Sequence, residues 1–243
     1  MTQPLSALLT ASAAAALLTA CQSGASANAS AATPVVPAAA IAVDQQTLGR
    51  QLLAAAAQGD AVAVRNLLAG NAAVDVQDAQ GNTPLLLATA ANHIEVARSL
   101  LLHGASPNIK NRIQGSAYLL AGAQGRLEIV RMAISYGADL KSTNRYGGTA
   151  LIPACERGHV ETAQALIAAG VDVDHVNRLG WTCLMEAVVL GHGGPEHQAI
   201  IKALIDAKAD LNLPDKHGVT ALAHARQRHQ QRVVQLLQAA GAR

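Results

Sequence analysis

The stretch DAQGNTPLLLATAANHIEVARSLLLHGASPNIK, residues 78–110, decides the fold. It carries Thr83, whose hydroxyl can cap the free N–H groups of a helix, and then Pro84, which loses no hydrogen bond in a first helical turn. Apolar side chains recur at helical spacing between residues 94 and 101. Gly104 follows, at a point where a left-handed residue ends a helix. The stretch therefore predicts two short helices separated by turns.

The same pattern returns along the chain with a period of 33 residues. The units are a degenerate first copy at 45–77, three regular copies at 78–110, 111–143 and 144–176, a longer copy of 38 residues at 177–214, and a last copy at 215–243. Units of this size that repeat in register stack on one another, so that neighbours bury a shared core. The first and last copies are expected to act as caps, the first with Asp44 as the N-cap of its opening helix.

Two columns of residues support this register. A hydroxyl precedes each inner helix from the second repeat on, at Thr83, Ser116, Thr149, Thr182 and Thr220. An alanine follows inside each of these helices, at Ala88, Ala121, Ala154, Ala187 and Ala225. The hydroxyls predict helix caps, and the alanines predict a close approach of helices from neighbouring repeats.

The repeats resemble the ankyrin repeat over residues 45–243. The resemblance is carried by four motifs: Gly81-Asn82-Thr83-Pro84-Leu85, Gly147-Gly148-Thr149-Ala150-Leu151, Gly180-Trp181-Thr182-Cys183-Leu184 and Gly218-Val219-Thr220-Ala221-Leu222. It implies an all-α solenoid of six helix-turn-helix repeats joined by β-hairpin loops. It also implies a protein-binding scaffold, with neither catalysis nor cofactor. No motif for a catalytic serine, a phosphate loop or a zinc protease is present in the sequence.

The third repeat departs furthest from this pattern. Gln114 stands where the other hairpins have glycine, and Tyr118 stands where they have leucine near the start of the inner helix. We expect the weakest local stability in this repeat.

The N-terminal segment has a different composition. Residues 1–43 contain no Asp, Glu, Lys or Arg, and the apolar run 5–18 has the length of a signal-peptide core rather than a membrane span. The tetrad Leu18-Thr19-Ala20-Cys21 resembles a bacterial lipobox, which implies lipidation at Cys21. We predict a signal peptide at 1–21, an Ala/Ser/Pro-rich tether at 22–44 and a periplasmic location, with any membrane contact made only through that lipid. The alternative is a disordered, alanine-rich leader that contains a cysteine.

The hairpin tips are the predicted binding surface. Each carries one cation, at Arg112, Arg145, Arg178 and Lys216, which predicts a basic stripe along the edge of the stack that the tips form. Beside these cations lie Tyr146, Leu179, Trp181 and His217. Arginine with aromatic residues is the composition of binding hot spots, although the alternative is that the tips are simply solvated. The formal net charge of +2 argues against a nucleic-acid partner.

The period breaks in GHGGPEHQ, residues 191–198. Aligning its first Gly-His pair with Gly158-His159 leaves residues 193–197 as an insertion between the two helices of the fifth repeat. We expect this loop to extend the binding surface through Glu196 and His197. A zinc site would need a third ligand beside the two histidines of the loop, so we favour an insertion without metal.

The cysteines Cys155 and Cys183 are expected to be free and buried. An offset of five helical residues, added to about 10 Å of repeat stacking, places their Cα atoms beyond the roughly 7 Å limit for a disulfide.

From these observations we expect a monomeric, non-catalytic scaffold in the bacterial envelope that binds or supports a periplasmic protein. Small exported bacterial ankyrin proteins are similar in this context. Two alternatives remain: an immunity or inhibitor protein that neutralises a secreted toxin, and a metal-dependent factor that uses the His192/His197 loop.

Overall fold

The structure, a computed structural model, describes residues 38–243, with side chains from Asp44 onward. The predicted signal peptide, Cys21 and most of the predicted tether lie outside the described residues. Over residues 38–243, none of the helices combines the length and the apolar character needed to cross a bilayer.

The described chain forms twelve helices, two in each of six repeats. The inner helices are α1 (Ala38–Gln58), α3 (Pro84–Ala90), α5 (Ala117–Ala123), α7 (Leu151–Glu156), α9 (Cys183–Val189) and α11 (Ala221–Gln227). The outer helices are α2 (Ala61–Ala69), α4 (Ile94–Leu102), α6 (Leu127–Ser135), α8 (Val160–Ala168), α10 (Pro195–Asp206) and α12 (Gln231–Ala239). Inner helices pack on inner helices of the next repeat, outer on outer, and the two helices of each repeat on each other. The predicted all-α solenoid of six repeats is confirmed.

The loops between repeats are turns rather than paired strands. In the part of the chain that the structure describes there is no strand, and a single isolated bridge joins Pro214 to Thr220. The predicted β-hairpins are therefore present only as hairpin-shaped loops.

The hydroxyl column caps four of its five helices. Thr83, for example, accepts a hydrogen bond from the Leu86 amide. The others that do so are Ser116, Thr182 and Thr220. The prediction is wrong at Thr149, whose hydroxyl has no hydrogen-bond partner within residues 38–243.

Pro153 removes a backbone hydrogen bond from the first turn of the helix that follows Thr149. In the second repeat the Leu87 amide donates to the Thr83 carbonyl and closes the first turn of the helix. Pro153 occupies the corresponding position in the fourth repeat and has no N–H to donate. Helix α7 therefore begins later, at Leu151.

The first helix also differs from the prediction. Helix α1 begins at Ala38, so Asp44 is an exposed residue inside the helix and does not cap it. The alanine-rich stretch before Asp44 has a high helix propensity, which extends the helix toward the N-terminus.

The third repeat contains two local conflicts. Gln114 has a φ of 62°, in the left-handed region that its glycine counterparts occupy without steric penalty. Tyr118 is fully buried, and its hydroxyl has no hydrogen-bond partner among the described residues. Burial raises the pKa of this phenol, so it stays protonated.

We expect Tyr118→Phe to raise the free energy of unfolding by about 1 kcal/mol, because it removes a buried hydroxyl that makes no hydrogen bond. Urea denaturation of the wild type and the variant measures the difference. Tyr136→Phe, at a tyrosine that is 44% exposed, is the control and should change little. A loss of stability in Tyr118→Phe would show that the hydroxyl is satisfied.

Candidate partner-binding groove

Each hairpin tip is held by one side chain at its base. Asn144, for example, accepts hydrogen bonds from the amides of Tyr146 and Gly148 through the same oxygen. The same pair of bonds is made by Asp78, Asn111, Asn177 and Asp215. These Asx turns fix the tip backbone, so side chains on the tips have defined positions.

The four predicted cations lie exposed on successive tips. Two of them also brace the stack: the Arg178 guanidinium donates to the Arg145 carbonyl at 2.8 Å, and the Lys216 ammonium donates to the Arg178 carbonyl. These acceptors are neutral, so the positive charges remain uncompensated. The tips therefore present an ordered row of cations, whose binding role stays a prediction.

Large apolar side chains lie beside this row. Tyr146 is 55% exposed and Leu179 is 53% exposed. The Arg145 guanidinium lies 4.8 Å from the centre of the Tyr146 ring and donates to its hydroxyl at 2.9 Å. Of the other predicted residues, His217 is exposed, whereas Trp181 is half-buried and packs against the core.

Under the tips of the third to fifth repeats lies a concave pocket of about 370 Å³. Its apolar lining includes Leu120, Ile152, Tyr146, Leu179 and Leu190. Its charged lining consists of Arg145, Glu156, Arg157 and Glu186. A pocket with mainly apolar walls and a few convergent polar groups is the usual form of a binding site.

Glu186 is the residue that the sequence reasoning missed. It stands on α9 at a repeat position occupied earlier by Leu87, Leu120 and Pro153. A carboxylate at a position that is apolar in the three preceding repeats was the available signal. Glu186 is 4% exposed, and its Oε1 accepts a hydrogen bond of 2.7 Å from the Asn177 side-chain amide.

The surroundings of Glu186 disfavour its charge. Burial and, to a lesser extent, the nearby carboxylate of Glu156 raise its pKa to about 7, while the hydrogen bond from Asn177 opposes both effects. A glutamate with so strongly perturbed a pKa in a concave site is a candidate functional group. Near neutral pH it exchanges between its protonated and ionised forms.

The inserted loop is arranged differently from the prediction. Helix α10 begins at Pro195, so His197 lies in its first turn, and the imidazole Nε2 contacts the Glu156 carbonyl oxygen at 3.0 Å. His93 makes the equivalent contact with the carbonyl of Ala57 in the first repeat. His197 therefore takes the place of the repeat's turn histidine.

The extra residues are consequently 192–196, and the assignment of 193–197 was wrong. Extending α10 at its N-terminus lets His197 reach the preceding repeat. Gly191 fits because a side chain there would lie 2.1 Å from the Ala187 carbonyl oxygen and 2.4 Å from the His197 ring. His197 is only 7% exposed, so its side chain is not available to a partner. Glu196 is exposed and remains a predicted contact.

The two loop histidines do not converge on a common point. Their ring centres are 6.3 Å apart and nearly perpendicular, and the Nε2 of His197 is already hydrogen-bonded. Over residues 38–243 there is no group of three or more His, Cys, Asp or Glu placed to hold a metal ion.

The prediction for the other two cysteines is wrong. Cys155 on α7 and Cys183 on α9 form a disulfide, with their Cα atoms 5.6 Å apart and both side chains buried. The prediction treated the helical offset and the stacking distance as additive. In the structure, the second half of one inner helix lies against the start of the next, and this offset brings the cysteines together.

A glycine in the preceding pair of repeats carries the signal for this contact. A side chain on Gly122 would lie 2.7 Å from the carbonyl oxygen of Ala150. These two residues are 28 apart, as are Cys155 and Cys183. Small residues at this spacing therefore mark the points of closest helix approach.

Family comparisons agree with the architecture. The family model "Ankyrin repeats (3 copies)" matches residues 17–111 and 118–196, and the model "Ankyrin repeat" matches residues 179–216. No curated protein matches the chain.

Solved structures with the same fold include two ankyrin repeat proteins with high sequence identity. An ankyrin repeat domain from Acinetobacter baumannii AYE is 53% identical, with a TM-score of 0.77 over 79% of this chain and 98% of that one. The ankyrin repeat protein EF0377 is 40% identical, with a TM-score of 0.76 over 80% and 98%. The ankyrin repeat domain of Bcl-3, a member of the IkappaB family, is 29% identical, with a TM-score of 0.71 over 79% and 86%.

We expect Cys155→Ala/Cys183→Ala to lower the free energy of unfolding by about 2–4 kcal/mol, because the unfolded chain gains freedom when the loop is opened. Urea denaturation of oxidised protein measures the loss. Reductant should destabilise the wild type and leave the double variant unchanged. Equal stability of the two oxidised proteins would contradict the bond.

Glu186→Gln should raise stability at pH 8 by about 1–3 kcal/mol and have little effect at pH 4.5. The folded state holds the Glu186 proton up to about pH 7, whereas the unfolded chain releases it near 4.5, so the folded state loses stability as pH rises between these values. Denaturation at both pH values tests this. The control is Glu161→Gln, at an exposed site on α8. An effect independent of pH would exclude the titration of Glu186 as its cause.

Proposed function

This chain belongs to the ankyrin-repeat family, and we propose that it is a non-catalytic protein-interaction scaffold of the bacterial envelope. Ankyrin repeats generally mediate contacts between proteins. The observation that carries the proposal is that Tyr146 and Leu179 are exposed beside the row of tip cations and line a pocket of about 370 Å³.

The tips favour a partner surface that is acidic and partly apolar. Arg145 is held over Tyr146, and Arg178 is hydrogen-bonded to the neighbouring tip, so both side chains are ordered before binding. Pre-ordered arginines lose less rotamer entropy when a carboxylate docks on them. Exposed tyrosine and leucine beside them supply the apolar area that a stable interface needs.

The disulfide supports an envelope location. Structural disulfides persist in oxidising compartments such as the periplasm and are rare in the reducing cytosol. The bond between Cys155 and Cys183 is buried and joins two neighbouring repeats. Together with the signal-like residues 1–21 and the lipobox-like end at Cys21, it favours export, with the repeats held to the membrane through the tether.

Affinity capture from separated cytoplasmic, periplasmic and membrane fractions tests this function. We expect a periplasmic or envelope protein to be retained by the wild type. Arg145→Glu/Arg178→Glu should weaken its binding by about tenfold or more, because two attractive charges become repulsive. The affinity is then measured with the captured protein after purification.

The matched control is Arg98→Glu/Arg131→Glu, which makes the same charge change at exposed sites on outer helices. Equal retention by the tip variant and the wild type would refute the tip interface. Recovery of the native chain from the cytoplasm, with Cys155 and Cys183 reduced, would refute the envelope location.

A further inference from the structure

We propose that the pocket beneath the tips receives a basic side chain, lysine or arginine, from the partner, and places its cation beside Glu156 and Glu186. This inference rests on the proposed scaffold function and names the chemistry that the scaffold recognises. It follows from the charge left uncompensated in the pocket, from the shape and polarity of its walls, and from the rigidity of the two helices that carry the carboxylates.

The carboxylate of Glu186 has one oxygen that can accept a further hydrogen bond. Its Oε1 is bonded to Asn177, whereas its Oε2 has no hydrogen-bond partner among the described residues. A carboxylate buried to this extent is disfavoured unless a cation or further donors reach it. Glu156, the second carboxylate of the pocket, adds to the local negative charge.

The two arginines that line the pocket do not supply this cation. Arg145 is held by Tyr146, and Arg157 donates to the carbonyl of Ala123. Neither makes an ion pair with Glu156 or Glu186 in the described part of the chain. The pocket thus keeps two acidic groups without a basic partner from its own chain.

The walls suit the stem of a long basic side chain. Leu120, Ile152 and Leu190 line the pocket, and Leu190 is 43% exposed at the end of its helix. Lysine and arginine cover apolar surface with their methylene groups while the charged end meets a polar group. A short acidic side chain would meet repulsion from the same carboxylates, and an apolar one would leave them buried and unpaired.

The tip cations add a second element of specificity. Arg145 lines the pocket and Arg178 donates to the Arg145 carbonyl, so both cations lie beside it and favour acidic residues on either side of the inserted base. The preferred segment therefore has one central basic residue flanked by acidic ones. A polybasic segment would be repelled by the tips.

The disulfide holds the acidic pair in place. Cys155 immediately precedes Glu156 on α7, and Cys183 lies one helical turn before Glu186 on α9. Joining these helices fixes the spacing of the two carboxylates before a ligand arrives. Less ordering is then needed on binding, which strengthens a contact of this size.

Methyl NMR titrations at pH 8 with the acetylated tripeptide amide Glu-Lys-Glu test the proposal. We expect a dissociation constant on the order of 1 mM, with shifts centred on Leu120, Ile152 and Leu190. Replacing lysine by norleucine, which keeps the stem and removes the charge, should weaken binding about tenfold. The Glu-Arg-Glu peptide, run in parallel, identifies which of the two cations is preferred.

Glu156→Gln/Glu186→Gln should remove the preference for lysine over norleucine, and Glu161→Gln should retain it. Equal binding of the two peptides by the wild type, or an unchanged preference in the double variant, would overturn the inference. These outcomes are independent of the capture experiment: a partner retained through the tip cations would leave the scaffold function standing if the pocket failed to select lysine.

Discussion

The close contact between the second half of each inner helix and the start of the next is the constraint on which the rest of the structure depends. Between the third and fourth repeats it leaves no room for a side chain at Gly122, which faces the carbonyl of Ala150, 28 residues further along. The same contact joins Cys155 to Cys183. It also brings the helix that carries Glu156 against the helix that carries Glu186. The packing of neighbouring inner helices therefore places both carboxylates in the pocket.

Much of the fold could be predicted from the sequence because the period of 33 residues means that each repeat forms the same pair of helices and the same turns. The capping hydroxyls, the alanine column and the tip cations follow from position in that period. The predictions fail where a single residue differs from those at the same position in the other repeats, or where the contact depends on three-dimensional packing. Pro153 removes a donor and shifts a helix start, whereas the disulfide required knowledge of how far neighbouring helices are staggered.

The inserted loop illustrates a different limit. A Gly-His pair at residues 191 and 192 matches the repeat motif in sequence, but the structure places His197 in the histidine position. The structure keeps the imidazole contact with a carbonyl of the preceding repeat that His93 also makes, and a longer α10 delivers it from five residues further along. Sequence alignment alone cannot show that His197 replaces His192 in this contact, because the hydrogen bond depends on where helix α10 begins.

This exchange also bears on where specificity resides. The insertion restores the normal contact to the fourth repeat, and residues 191–197 do not line the pocket under the tips. The extra residues therefore lengthen the outer helix α10 and its preceding loop, and the repeats stay in register. Glu186 departs from the repeat pattern at a single position. It places an ionisable group inside the pocket, which lowers the stability of the fold near neutral pH. A residue that weakens the fold where a partner can reach it is a better indicator of recognition than a conspicuous loop.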